Sequence, residues 1–526
     1  MNIEPRISLI QLYGCKQPLD SEPLSIEILT ASIYKKFPKA QIKNFAVDNN
    51  FSQKSTRAVL EGIRRNKTDV VGISIPQSTY ELSIDLISSI VKEKQQTKIV
   101  LGHAIPTYSP YSFLEKFPQV IIVRGWGEES FQLLIQHFYF NNPPNIAYIP
   151  NLFYISNNQI ITTITKWPNE IISPNRITGK GYFPRIEASR GCQYNKCSFC
   201  TRPPCNNGKL TSTWRRKNLP TVINEIKDIA IHGNTVFTFT DEDFVGSDIM
   251  GAIEIGNTIK QIGNLKFSLS VRADNILNHS DTDSQKLERR RLFKLLKEAG
   301  LYQVFVGLES LSNTQLKRYG KNISIKDNIK AISELKKIGI NYEIGFMLFD
   351  PLLTMDELDE NLSMLQKTKF WMNIGQLYNY LRPQIDSAYL NLLNKVQINN
   401  KYNPDMISYD YDFINKDINS IYHYARMWLN EFDPIYLRAR SLKNNYQDQC
   451  YIDFINNIRF LQFELLKYLF INTQKKTMIN LSIYNYQRRK LIEQLHNGMV
   501  KGGNNSSEVT LELNKLCEKF LAENPQ

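Results

Sequence analysis

Two α/β units followed by a helical tail are what this sequence predicts, and three observations predict it. Apolar runs of strand length alternate with segments of helical spacing through residues 1–140. The alternation returns between 185 and 350, and from about 415 the periodic segments are all helical. Strand–helix alternation with β-branched strands predicts parallel sheets covered on both faces. A chain of 526 residues is also too long for a single core. We divide it into a Rossmann-like α/β domain (1–145), a linker with a small hairpin (146–180), a second α/β domain (181–392) and a mainly helical C-terminal domain (393–526).

In the first domain, strands are expected at 6–14, 40–47, 69–75, 98–105 and 120–126, with helices at 24–37, 55–67 and 80–94. Ligands of such sheets bind at the carboxyl ends of the strands. That singles out the loops 75–81, 102–110 and 125–130. The linker is rich in turn formers ("NNPPN", "ISNNQ", "WPNEIISPN"), with "NLFYI" and "IITTITK" as the arms of a hairpin.

The second domain begins with "PRIEAS", a short strand, and continues into "RGCQYNKCSFC" (190–200). Cys192, Cys197 and Cys200 are spaced C-x4-C-x2-C, in a chain with only seven cysteines. A closed zinc site needs four ligands. Cys205 could be a fourth, but no second ligand pair follows, so a zinc ribbon fits poorly. Iron–sulfur clusters are held by thiolates. Three thiolates on a four-iron cluster leave one iron open for a substrate or cofactor. Further strands are expected in "NTVFTFTDEDFVG" (234–246), "FSLSVRADNI" (267–276), "YQVFVGLESLS" (302–312) and "YEIGFMLFDP" (342–351). A helix over 327–339 puts Ile329, Ile332, Leu335 and Ile338 on one face and stops at Gly339.

The tail reads as helices at 418–432, 451–470 and 486–500, with a flexible break at 500–509 before a last helix. Its aromatic residues form a core or a lid over the second domain. Bulk properties narrow the classes. No run of about 18 apolar residues occurs, so no membrane span is expected. The N-terminus lacks a signal peptide's pattern, which points to the cytoplasm, where thiols stay reduced. The net charge is +13, but "WRRK" and "RRR" are short, and nucleic acid is not an expected partner.

The first domain resembles the cobalamin-binding domain that precedes the catalytic domain in many radical S-adenosylmethionine (SAM) enzymes. "DVVGIS", "IVLGH" and "VRGWGEE" carry the likeness. No D-x-H-x-x-G occurs, so no histidine of that motif can ligate cobalt. The family usually has a glycine pair after the fourth strand, and here the second position is His103. A side chain there would take the space that glycine leaves open. The resemblance implies cobalamin; His103 argues against its being bound.

The cysteine triad and the strands behind it resemble the radical SAM superfamily. The usual spacing is C-x3-C-x2-C, and Lys196 is an extra residue in the first gap. The resemblance implies a partial (β/α)6 barrel, one [4Fe-4S] cluster on Cys192, Cys197 and Cys200, and SAM. Phe199 matches the aromatic before the last cysteine. Glu242, with Asp241 second, would hold the SAM amino group. Arg272 would pair with its carboxylate; Ser270 would face the ribose and Glu309 would accept from its hydroxyls. Phe346 would line the adenine. An electron donor such as flavodoxin or ferredoxin is implied. The reduced cluster would pass one electron to SAM, giving methionine and a 5′-deoxyadenosyl radical that abstracts hydrogen from the substrate.

No second cysteine triad and no auxiliary-cluster cysteines are present: the tail has Cys450 and Cys517, and the first domain has Cys15. The layout resembles the proteusin-type peptide epimerases. The first expectation is therefore epimerisation of L- to D-residues in a ribosomally made precursor peptide, with Cys450 returning hydrogen and Cys517 near a frayed end. The alternative is a cobalamin-dependent radical SAM C-methyltransferase acting on a peptide or natural product.

Overall fold

A computed structural model of the chain describes residues 4–14, 21–48, 52–93, 96–140, 143–176, 182–201, 214–396, 400–446, 448–502 and 508–525. The first sheet has seven strands in the order β2-β1-β3-β4-β5-β6-β7. Its strands are β1 (Arg6–Tyr13), β2 (Gln41–Asp48), β3 (Val70–Ser74), β4 (Lys98–Gly102), β5 (Ile121–Val123), β6 (Leu152–Ser156) and β7 (Gln159–Thr162). Pairing is parallel from β2 to β5, and the linker hairpin adds β6 and β7 antiparallel at the edge. β3 is buried throughout, as befits a central parallel strand. Side chains alternate between two cores: Ile10 and Leu12 face one, Ile7 and Leu9 the other.

β8 (Arg185–Ile186) opens the second domain, and β9 (Ser189–Gly191) pairs antiparallel with β10 (Trp214–Arg216). β11 (Val236–Phe239), β12 (Lys266–Arg272), β13 (Leu301–Glu309) and β14 (Asn341–Phe346) follow. The second sheet is five-stranded and parallel, ordered β14-β13-β12-β11-β8, a barrel left open on one side. The sixth position is occupied by single parallel bridges, Ile344 with Ile374 and Phe349 with Tyr380. The helix Ile325–Ile338 starts in a Ser324–Asp327 capping box and ends at Gly339 with φ of 76°.

Tail helices run over Lys416–Asn430, Asp433–Tyr446, Gln449–Lys475, Ser482–Gly502 and Glu508–Glu523. They share one apolar core with the barrel: Trp428, Ile458 and Leu466 belong to the same cluster as Leu365, Ile374 and Tyr378. Cys517 is fully buried within the last helix, so the expectation of a frayed end there is corrected. Most of the expected break at 500–509 lies outside the described residues. A hairpin of β15 (Asn400–Asn403) and β16 (Ser408–Tyr411) had no sequence signal. It docks on the first domain: Tyr80 N–H donates to Asp405 Oδ1 (2.8 Å), Gln77 to the Met406 carbonyl (3.0 Å), and Ile407 enters that domain's core. Among the described residues no helix is long and apolar enough to cross a membrane.

Candidate functional site

Apart from Cys450, the residues expected to carry chemistry lie at or near the carboxyl ends of the second sheet, because parallel strands point all their ends one way. β9 leads into the cysteine loop, and the segment after β13 holds it. Ser198 N–H donates to the Tyr319 carbonyl (2.9 Å), Ser198 Oγ to the Arg318 carbonyl (2.8 Å), and Tyr389 N–H to the Ser198 carbonyl (2.8 Å). Tyr194 O–H donates to the Gly320 carbonyl. Gly320 has φ of 64°, and a Cβ there would lie 2.8 Å from the carbonyl oxygen of Lys196. The extra residue in the cysteine spacing is thus accommodated against a glycine. Phe199 packs edge-on to Tyr319, with ring centroids 5.7 Å apart.

Below this loop lies a buried polar network that sequence reasoning missed. Asp350 is fully buried and accepts from Gln315 (2.8 Å), Arg318 (2.9 and 3.2 Å), Tyr319 (3.1 Å) and Tyr389. Arg318 also bonds Glu357 (2.8 Å). The network ties the segment that holds Ser198 to the end of β14.

Cys192 and Cys197 are half-buried and Cys200 is exposed. Burial pushes the Cys192 thiol up. Arg272, at the end of β12, brings Nη1 to 3.8 Å from Cys197 Sγ and lies 4.0 Å over the Tyr194 ring. Its fork is held by Asp274 (2.9 and 2.8 Å). Among the described residues no group of three or more His, Cys, Asp and Glu side chains is arranged to hold a single metal ion. Three thiols on one partly exposed loop, with a cation at the second, fit a cluster whose thiolates sit on separate irons. Cys205 and Cys15 lie outside the described residues.

The two acids after β11 divide. Glu242 is exposed, accepts from Gly191 N–H (3.2 Å) and faces the cavity described below. Asp241 is 2 % exposed and straps the turn before β9, accepting from Ala188 N–H (3.2 Å) and Ser189 Oγ; burial pushes its pKa up to about 7. Asp243, not singled out by sequence, is also buried and accepts from Asn275 (2.6 Å). Ser270 pairs with Phe305 and shares the Arg272 face of β12. Glu309 has φ of 71° and faces Lys321 Nζ at 3.5 Å, while burial raises its pKa. Phe346 is 3 % exposed in the barrel's apolar core, so its ring does not line an open face as expected. Cys450, expected at the barrel's opening, packs between two tail helices: a Cβ on Gly498 would lie 3.2 Å from its own. Burial and Asp448 push its thiol up to about 12.

A cavity of about 530 Å3 lies between the strand ends of the first sheet and the second domain. Gly102, His103, Gly125 and Gly127 line one wall; Arg190, Gly191 and Glu242 line the other. A Cβ added at Gly102 would meet only the Val123 carbonyl at 3.7 Å, so the wall is bare backbone with room beyond it. Arg190 links the walls. It bonds Glu187 (2.7 and 2.8 Å) from the second domain and pairs with Glu128 of the first at 2.5 Å. His103 is exposed, with φ of 78° and ψ of −161°. It keeps the backbone path that glycine would take, and the residue lines the cavity. That path costs a side-chain-bearing residue about 1–3 kcal/mol. His103→Gly should therefore stabilise the protein by about 1 kcal/mol after glycine's entropy cost. Urea unfolding checks it, and a loss of stability would contradict the strain.

Comparison with known proteins agrees with this arrangement. Residues 186–365 match the Radical SAM superfamily model, and residues 13–135 match the B12 binding domain. The 4′-phospho-dehydrooxetanocin synthase of Priestia megaterium is 25% identical over 98% of this chain and 78% of that protein. The bacteriochlorophyllide d C-8(2)-methyltransferase of Chlorobaculum tepidum is 30% identical over 36% of this chain and 41% of its own. Among solved structures, the cobalamin-dependent S-adenosylmethionine radical enzyme OxsB, with aqua-cobalamin and S-adenosylmethionine bound, superposes with a TM-score of 0.82. It is 20% identical and the match covers 99% of this chain and 84% of that one.

Proposed function

We propose that this chain, which belongs to the B12-binding-domain-containing branch of the radical SAM superfamily, is a cobalamin-dependent enzyme that transfers a methyl group to a carbon of a natural product or peptide. The observation that carries the reading is the cavity that joins the glycine-lined strand ends of the first sheet to Arg190, Gly191 and Glu242. A flat macrocycle can lie against bare backbone, and the wall opposite is the strand that leads into the cysteine loop. Relatives described as a synthase and a methyltransferase support this second reading of the sequence. The epimerase expectation has no support among them.

When bound, the cluster and SAM supply a carbon-centred radical, and cobalamin supplies a transferable methyl group. The chain's own residues hold and orient. Cys192, Cys197 and Cys200 are the thiolate donors. Glu242 and Arg272 offer opposite charges at adjacent strand ends for a zwitterionic amino-acid group. Glu309 and Ser270 offer polar contacts on the same face. Arg190 fixes the first domain against the cluster strand.

Methyl loss from SAM leaves S-adenosylhomocysteine; reductive cleavage leaves 5′-deoxyadenosine and methionine. Reconstituted enzyme incubated with SAM and a reductant should form both, with S-adenosylhomocysteine appearing only after cobalamin loading. Formation of 5′-deoxyadenosine alone, with cobalamin present, would remove methyl transfer from the account.

A further inference from the structure

We infer that Lys321 is a positioning residue for S-adenosylmethionine, holding the Glu309 carboxylate charged and aimed as the acceptor of the two ribose hydroxyls. The inference rests on the reading of Glu309 as that acceptor, and it adds the residue on which the acceptor depends.

Glu309 ends β13 with φ of 71°, a left-handed backbone that a residue with a side chain keeps only where its surroundings hold it. The pairing with β14 shifts register between Gly307 and Glu309. The carboxylate folds back over its own strand: a Cβ on Gly307 would lie 2.6 Å from Glu309 Oε1 and 3.6 Å from Lys321 Nζ. Gly307 is the register partner of Arg272, so the carboxylate stands beside the strand end that carries that guanidinium. Lys321 supplies the hold. Its Nζ donates to the Gly307 carbonyl (3.0 Å) and lies 3.5 Å from Glu309 Oε1, so one ammonium grips both ends of the fold-back. Lys321 is 4 % exposed, and a cation out of water is stable only when paired. It follows Gly320, which abuts the Lys196 carbonyl in the cysteine loop. The segment that holds the cysteine loop therefore also sets the cation beside Glu309.

Charge decides what Glu309 can do. An ionised carboxylate only accepts, and its two oxygens can take the two hydroxyls of a vicinal diol; a protonated one must donate from one oxygen. Burial raises the Glu309 pKa, and Lys321 and then Arg272 oppose that rise. Arg272 is forked onto Asp274 (2.9 and 2.8 Å). From β14 the contact is backbone, Met347 N–H to the Glu309 carbonyl (2.9 Å). Removing Lys321 leaves burial opposed by the weaker cation alone.

The test is SAM binding by the full-length reconstituted protein without reductant, followed by calorimetry in the wild type and in Lys321→Met, whose side chain is of similar length. Dividing the two dissociation constants cancels the titration of SAM itself. Loss of a cation at this range raises a carboxyl by about 1–3 pH units, so the window is about pH 6 to 9. At its acid end Lys321→Met should bind SAM about tenfold more weakly or worse. The ratio should then fall as pH rises and Glu309 ionises, by up to about tenfold per pH unit. A ratio that stays constant with pH would reduce Lys321 to packing and overturn the proposal. Glu309→Gln, with no proton to lose there, should weaken SAM by a factor that does not vary with pH. Adding Lys321→Met to Glu309→Gln should change the affinity less than about twofold. A further loss of about tenfold would overturn the proposal as well. The double variant leaves neither charge unpaired, so this arm stands if Lys321→Met alone fails to fold. Glu309→Gln that binds SAM as tightly as the wild type sinks the ribose-acceptor reading itself. Weak binding by Glu309→Gln with a constant ratio for Lys321→Met sinks only the role of Lys321.

Discussion

Replacing Cys192, Cys197 or Cys200 with alanine, one at a time, should abolish the iron–sulfur cluster of anaerobically reconstituted protein. A four-iron cluster anchored by three thiolates has no spare protein ligand, and the loop supplies all three within nine residues. Neighbouring side chains do not replace a lost thiolate: Arg272, at 3.8 Å from Cys197 Sγ, is a cation. The fold around the loop should persist, because Ser198, Tyr194 and Phe199 are held by Tyr319, Arg318 and Gly320 rather than by the thiols. Cys205→Ala and Cys450→Ala should retain full iron and sulfide. The assay is iron and sulfide per chain with the visible charge-transfer band. Loss of iron in Cys205→Ala would replace the assigned ligand set.

Arg190→Met should destabilise the protein by about 3–5 kcal/mol, because it leaves Glu128 and Glu187 facing one another without their cation. Arg190 is 5 % exposed and Glu128 4 %, so water offers little relief. Methionine fills nearly the same volume, which keeps the cavity contribution small. The pair joins the helix Glu128–Tyr139 of the first domain to the strand ahead of the cysteine loop. The same substitution should therefore loosen corrinoid retention as well as lower the urea midpoint. A change below about 1 kcal/mol would show the pair to be solvated and unimportant.

How much of this was legible in the sequence depended on where the signal lay. The strands β1 to β5 were readable to within a few residues, because buried parallel strands are continuous apolar runs. The triad was noticed from three cysteines within nine residues although its spacing departs from the usual one, and Glu242 and Arg272 were singled out by the resemblance; Glu242 follows β11 and Arg272 ends β12. Phe346 and Asp241 were expected on the open face and are buried. Alternation fails at strand ends, and the irregular register between Gly307 and Glu309 shows it failing here. Lys321 beside Glu309 and Asp350 beneath the loop could not be seen, since their partners are set by tertiary contacts. The β15–β16 hairpin carries no apolar period; its docking rests on Asp405 and Ile407 meeting residues more than 300 positions away. The left-handed backbone of His103 was not legible either, because a side chain is visible in a sequence and a φ angle is not.

The central claim is that a corrinoid occupies the cavity between the two α/β domains. The direct measurement is the corrinoid absorption spectrum and cobalt content of full-length protein loaded anaerobically with cobalamin and passed through a desalting column. The account predicts stoichiometric corrinoid retained through the column in the wild type and in His103→Gly, and a marked loss in Arg190→Met. Wild-type protein that carries its iron–sulfur cluster but elutes free of corrinoid would contradict it.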